Sequence, residues 1–174
     1  MAYAAYLYLF RKKEDEFVGK NIIVGDSHAV GISRLLKNVQ KSSCAVGGWM
    51  VSNVIKCLTS QPEDKGVAKV FISIGTNGLY SQNDKVEDLI NLLKSKYPKA
   101  KIYVYGGSYG WSGNLSKSAV EERRNKYYKR FTDNSVILLK NGLGYFKTDG
   151  EAHSITSPQA KAIAEEINSK TELK

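Results

Sequence analysis

The sequence of 174 residues is long enough for one domain with a hydrophobic core and too short for two ordinary domains. Apolar residues make up 42% and charged residues 25% of the chain, which excludes a disordered or collagen-like protein. The formal net charge of +9 favours an acidic partner, substrate or surface, but it indicates no chemistry.

The N-terminus begins with an apolar stretch, MAYAAYLYLF, whose ten residues are half of the roughly 20 that span a bilayer. Charged residues follow this stretch and no small-residue cleavage site comes after it, so we predict no secretory signal and synthesis in the cytoplasm. We expect residues 1–19 to form an N-terminal aromatic arm or extension. This arm either packs on the domain as a strand or docks it to a protein partner, a larger assembly or a membrane surface.

From residue 21 onward, short apolar runs alternate with amphipathic segments. The apolar runs predict strands at 21–24, 44–46, 67–74, 101–106 and 135–139. The amphipathic segments predict helices at 28–39, 50–58, 86–96 and 119–131, and a last helix that Ser157 caps and Pro158 opens. This alternation indicates an α/β fold for residues 20–174, with a five-stranded parallel sheet between two helical layers.

Two cysteines, Cys44 and Cys57, lie in this region. They match neither a metal-binding spacing nor a redox C-x-x-C motif, and two thiols make no disulfide framework. We therefore predict two buried thiols.

Glycine-containing loops follow the predicted strands. In a parallel sheet, ligands bind outside the carboxyl ends of the strands, and glycines there let backbone N–H groups approach a ligand closely. The loops read GDSH at 25–28, GGW at 47–49, GTNG at 75–78 and GGSYGWSGN at 106–114. A long stretch after the fifth strand contains Asp149 and His153.

These loops carry a family resemblance. GDS after the first strand, a glycine pair after the second, GTN after the third, and an Asp and a His before the last helix resemble the four blocks of the SGNH hydrolases (GDSL esterases and lipases), in their usual order. The resemblance covers about residues 20–170. It implies a three-layer, flavodoxin-like SGNH hydrolase fold and a serine esterase, with no metal or organic cofactor.

Ser27 is the nucleophile that the resemblance implies. A serine hydroxyl needs a neutral histidine within hydrogen-bond reach, and the sequence has only His28 and His153. Side chains of adjacent residues diverge at a helix start, so we predict that His153 is the general base.

Asp149 is the predicted triad acid, although the chain departs from the family here. The family spacing is Asp-x-x-His, whereas three residues separate Asp149 from His153 and Gly150 occupies the expected position of the acid. Glu151 could replace Asp149, or the serine and histidine could act as a dyad, because geometry and not spacing defines the role.

The resemblance also names three donors for the oxyanion hole: the backbone N–H of Ser27, the backbone N–H of Gly48, and the side-chain amide of Asn77. We prefer Gly48 over Gly47, although either glycine could present an N–H. Asp26 is expected to cap the helix rather than act chemically.

Three aromatic residues, Trp49, Tyr109 and Trp111, are predicted to line the substrate pocket, because flat aromatic faces suit sugar rings or acyl groups. The alternative is a loop that packs its own aromatics. The resemblance points to a carboxylic ester, with O-acetyl groups on carbohydrate or peptidoglycan favoured over lipids because the chain has no obvious lid.

Two other functions stay open. The chain could be a catalytically degenerate SGNH-like module with a structural or binding role in a larger assembly such as a virion. The second alternative is a polyanion-binding protein, whose binding surface would lie on the helix near 121–131. No recognised nucleic-acid-binding motif accompanies this helix. The side chains that would form this surface are Arg123, Arg124, Lys126, Tyr127, Tyr128, Lys129 and Arg130.

Overall fold

A computed structural model of the chain describes residues 18–109, 115–141, 144–146 and 153–172. The predicted aromatic arm therefore lies outside the described residues, except for its last two positions. Trp111, Asp149 and Glu151 also lie outside them, and of Tyr109 only the backbone is described.

The described residues form seven strands and five helices. The strands are β1 (Lys20–Gly25), β2 (Gln40–Ala45), β3 (Val67–Ser73), β4 (Lys101–Tyr105), β5 (Gly107–Tyr109), β6 (Ile137–Leu138) and β7 (Gly144–Phe146). The helices are α1 (Ser27–Ser33), α2 (Val51–Ser60), α3 (Val86–Lys96), α4 (Lys117–Asp133) and α5 (Pro158–Thr171).

Five of the strands form one parallel sheet in the order β2-β1-β3-β4-β6, which confirms the predicted α/β fold. Helices α2, α3 and α4 contact one another in that order, and α1 contacts α5. The central strand β3 is buried along its whole length, including Lys69 between its apolar residues. A small second sheet, in which β5 pairs with β7, was not predicted.

Several element bounds differ from those predicted. Helix α1 ends at Ser33, and the apolar residues that follow it pack against the core from a turn instead of a longer helix. Strand β2 begins at Gln40, before the predicted start at residue 44. Its first residues are polar and were not recognised as a strand, but a strand at the edge of a sheet can carry polar residues. Strand β6 is only two residues long, and both of its side chains are exposed.

A disulfide joins Cys44 to Cys57, with their Cα atoms 5.7 Å apart. The prediction of two thiols is therefore wrong. The bond links the end of β2 to α2, so the fold brings together two cysteines whose spacing carries no recognisable signal.

Helix α4 packs on the sheet through aromatic side chains. Tyr127, Tyr128 and Phe131 are buried, and the Tyr128 hydroxyl donates a hydrogen bond to the carbonyl of Ile74 at 2.8 Å. A Cβ atom on Gly106 would lie 1.8 Å from the Tyr128 hydroxyl oxygen, so only glycine fits at that position. The prediction that Tyr127 and Tyr128 belong to a polyanion-binding surface is therefore wrong, since both tyrosines belong to the core.

Within the described part of the chain, no helix combines the length and the apolar character that crossing a membrane requires.

Candidate active site

The turn between β1 and α1 holds Ser27 at the carboxyl end of the sheet. Gly25 has a φ of +128°, and a Cβ there would lie 1.8 Å from the carbonyl oxygen of Ser73. The backbone N–H of Asp26 donates to that same oxygen at 2.9 Å. The chain can therefore turn sharply against β3 only with glycine at this position, and Ser27 follows as the first residue of α1.

Asp26 caps α1 and connects two loops of the site. Its buried carboxylate accepts hydrogen bonds from the backbone N–H of His28 at 3.0 Å, the hydroxyl of Ser73 at 3.0 Å and the hydroxyl of Thr76 at 2.8 Å. Burial raises the pKa of Asp26 to about 6, and hydrogen bonds from Thr76, Ser73 and the backbone of His28 and Ala29 only partly oppose this effect. The carboxylate thus fastens the loop of Asn77 to the loop of Ser27.

The structure brings Ser27 and His153 together, although 126 positions separate them. Ser27 Oγ lies 2.7 Å from His153 Nε2. When the hydroxyl donates this hydrogen bond, the imidazole carries its own proton on Nδ1. This is the arrangement that a nucleophile and its general base require.

His28 contributes to the site in a way that the sequence reasoning missed. Its ring stacks on that of His153, with centroids 4.9 Å apart and an angle of 14° between the planes. The residue is buried, and the hydroxyl of Tyr105 donates to its backbone carbonyl at 3.4 Å. His28 therefore supports the ring of the proposed base, and no local sequence pattern indicates such stacking.

Both glycines of the second loop lie near the rim. A Cβ on Gly47 would be 3.8 Å from Cβ of Ser27, whereas one on Gly48 would meet nothing within 4 Å. Within the described residues, no acceptor is hydrogen-bonded to the N–H of either glycine. The preference for Gly48 as an oxyanion donor stays a prediction, and Gly47 is the glycine beside the nucleophile.

Asn77 connects the third loop to the second. Its side-chain amide donates a hydrogen bond to the carbonyl oxygen of Trp49 at 3.0 Å. An amide group has two donors, so one remains for an oxyanion. The ring of Trp49 is half-buried against the core, and it is not part of the cavity wall beside Ser27.

A cavity of about 240 Å³ opens beside Ser27 and His153. Its lining includes Val30 and Gly31 of α1, Arg34 directly after this helix, and Ile155. No group of three or more His, Cys, Asp or Glu side chains among the described residues could hold a metal ion. The predicted acids, Asp149 and Glu151, lie outside the described residues, and their roles stay predictions.

No protein-family model matches the sequence, and no curated protein matches it. Solved structures do match. A member of the lipolytic G-D-S-L family from Veillonella parvula is 14% identical, with a TM-score of 0.51, 86% of this chain covered and 96% of that chain. An aryl esterase of M. smegmatis is 14% identical, with a TM-score of 0.55 and coverages of 87% and 99%.

The C-terminal catalytic domain of the Streptococcus pneumoniae peptidoglycan O-acetyltransferase A is 13% identical, with a TM-score of 0.56 and coverages of 88% and 92%. At such identities, these likenesses show the fold. The chain therefore has the fold of the GDSL/SGNH hydrolases, as its sequence motifs imply.

Proposed function

We propose that the protein is a serine esterase that cleaves a carboxylic ester through a Ser27 acyl-enzyme. The single observation that carries the proposal is the distance of 2.7 Å between Ser27 Oγ and His153 Nε2, at the mouth of an open cavity. At this distance the imidazole can take the hydroxyl proton as the oxygen attacks a carbonyl carbon.

In the proposed mechanism, Ser27 Oγ bonds to the ester carbon while its proton passes to His153 Nε2. The negative charge on the former carbonyl oxygen is stabilised by the N–H of Ser27, the N–H of Gly48 or Gly47, and the amide of Asn77. His153 then protonates the leaving alcohol as the carbon–oxygen bond breaks. Water, deprotonated by His153, attacks the acyl-enzyme and releases the acid and the free serine. We assign to Asp149 the role of holding the Nδ1 proton.

We further propose a short acyl group, with O-acetyl esters of carbohydrate or peptidoglycan as the favoured substrates. A cavity of about 240 Å³ is smaller than the roughly 300–1,000 Å³ of sites that enclose drug-sized ligands, which favours an acetyl group over a lipid chain. The likeness to a peptidoglycan O-acetyltransferase domain supports the same class.

Hydrolysis of 4-nitrophenyl acetate by wild type, Ser27→Ala and His153→Ala tests the proposal. We expect both variants to lose at least about 1,000-fold in kcat, because each removes one member of a unit that acts together. Ser43→Ala, which alters an exposed serine on β2, is the matched control and should keep full activity. A wild type that neither turns over the ester nor reacts at Ser27 with a fluorophosphonate would instead favour a non-catalytic binding or structural module.

A further inference from the structure

Arg34 lines the cavity that begins at Ser27. We propose that the substrate carries an anionic group, a carboxylate or a phosphate, and that Arg34 binds this group two helical turns from the nucleophile. The inference deepens the proposed function and rests on it, because it concerns the ester that reaches Ser27.

The phase of α1 supports this arrangement. Ser27, Val30, Gly31 and Arg34 follow the i, i+3, i+4, i+7 spacing, which places their side chains on one face of a helix, and all four line the cavity. Arg34 directly follows the last residue of α1, Ser33, and its dihedral angles are still right-handed helical, with φ of −70° and ψ of −17°, so the helical spacing continues to it. A rise of about 1.5 Å per residue puts its Cα roughly 10 Å along the axis from that of Ser27.

Ser27 and Arg34 line the same cavity. Between them on α1 is Gly31, where a Cβ would lie 3.5 Å from Cγ2 of Ile155, an ordinary van der Waals distance. Ile155 therefore packs close to α1 at this point. Because one cavity includes both residues, a ligand bound in it can extend from Ser27 towards Arg34.

The charges of the described lining residues favour an anion at the Arg34 end of the cavity. Arg34 is the one permanently charged side chain among the described lining residues, and no described carboxylate lines the cavity. No hydrogen bond or ion pair of the Arg34 side chain occurs within the described part of the chain. Other cations are paired with acids: Lys126 with Glu122, Lys129 with Asp133, and Arg130 with Glu87.

A guanidinium group in this position suits a planar or tetrahedral anion. Its fork of N–H donors binds carboxylate and phosphate oxygens in pairs, with good directional specificity. A cleft with one sign of charge also raises the local concentration of ligands of the opposite sign. The net charge of +9 acts in the same direction.

Matched ester pairs test the proposal. For an anion on the alcohol side, 4-acetoxybenzoate and 4-acetoxyphenyl phosphate are compared with methyl 4-acetoxybenzoate. We expect wild type to prefer the anionic member of at least one pair by roughly tenfold in kcat/KM, and the preference to shrink as salt is added.

Arg34→Gln should bring the anionic-to-neutral ratio of kcat/KM close to one, and Arg34→Lys should keep part of the preference because a point charge remains. The ratio is the measured quantity, since it cancels any general loss of activity. Lys41→Gln removes the same charge from an exposed site on β2 and should leave the ratio unchanged. Equal rates for all pairs in wild type, or a preference that survives in Arg34→Gln, would overturn the proposal.

A binding measurement separates this proposal from the proposed function. Titration of ¹⁵N-labelled protein with adipate, 4-hydroxybenzoate and inorganic phosphate should shift the amide signals of residues 30–34 in wild type but not in Arg34→Gln. If the protein hydrolyses no ester yet shows these shifts, the esterase proposal fails and the anion site stands. If it hydrolyses neutral esters and no anion shifts these signals, the anion site fails and the esterase proposal stands.

Discussion

Asp26 is a buried carboxylate beside the nucleophile, and it accepts hydrogen bonds from groups on two loops. Its pKa of about 6 in the folded protein lies above the ordinary value of 3.8 because burial penalises the charged form. The native state therefore binds this proton more tightly than the unfolded state does. The stabilisation is fully present below pH 3.8 and is lost as the pH rises through about 6.

The substitution Asp26→Asn should remove this dependence on pH. Denaturant unfolding between pH 4 and pH 7 would measure the free energy of unfolding of both proteins. We expect the difference between variant and wild type to shift in favour of the variant by about 2.4 kcal/mol over that range, from a pKa difference of about two units.

Asp88→Asn, on the exposed side of α3, is the control for the loss of a carboxylate. Profiles of Asp26→Asn and wild type that run parallel from pH 4 to pH 7 would contradict the assignment of this pH dependence to Asp26.

The pairing of Asn77 with Trp49 shows how the two loops of the proposed oxyanion hole fix each other. The amide of Asn77 donates to the carbonyl of Trp49, in the loop that also contains Gly47 and Gly48. Loss of this amide would therefore remove a proposed donor and also loosen the loop that holds the second donor. A rate loss in an Asn77 variant would reflect both effects, which are not additive.

The disulfide between β2 and α2 encloses that same loop. Cys44 and Cys57 are 13 positions apart, and the residues between them include both glycines. A cross-link over a loop of this length stabilises a fold by roughly 3 kcal/mol, because it restricts the conformations of the unfolded chain.

Reduction of the disulfide should therefore lower the free energy of unfolding by roughly 3 kcal/mol. Denaturant curves with and without a strong reductant give the measurement, with thiol titration to establish that reduction is complete. The same reductant should leave the curve of Cys57→Ser unchanged, since this variant has no disulfide to reduce. Coincident curves for oxidised and fully reduced wild type would refute the prediction.

Elements with strong local patterns were predictable from the sequence. Helix α3 begins and ends where its apolar spacing indicates, and Ser157 and Pro158 mark the start of α5 as predicted. Strand β3 is rich in β-branched and aromatic apolar residues, a composition typical of a strand that is buried on both faces of a parallel sheet.

Features that depend on distant contacts were not predictable. The three-residue strands β5 and β7 pair across a long stretch of chain and carry no periodic signal of their own. The disulfide and the stacking of His28 on His153 likewise arise from tertiary contacts. In the candidate site, the family resemblance predicted Ser27 and His153. It did not predict Arg34, because this residue belongs to none of the short motifs that carry the resemblance.

The sheet order sets how stability is distributed over the molecule. Strand β3 pairs with β1 on one side and β4 on the other, and all its residues are buried. Strand β6 lies at the edge of the sheet, and its two side chains, Ile137 and Leu138, are each 45% exposed. Local opening requires less free energy where few contacts are lost.

Native-state hydrogen exchange should reveal this gradient. We expect the amides of Val70, Phe71 and Ile72 to exchange only through global unfolding. The amides of β6 should exchange through local openings that cost at least about 2 kcal/mol less. Equal protection of β6 and β3 would show that the sheet opens as one unit instead.

The close approach of Gly106 to Tyr128 links two positions on different elements. Any side chain at 106 would collide with the tyrosine, and the tyrosine in turn supplies the hydrogen bond to the carbonyl of Ile74. In evolution, the residues at these two positions are therefore expected to change together. A lineage that gains a larger residue at 106 must also lose the tyrosine and find another donor for that carbonyl.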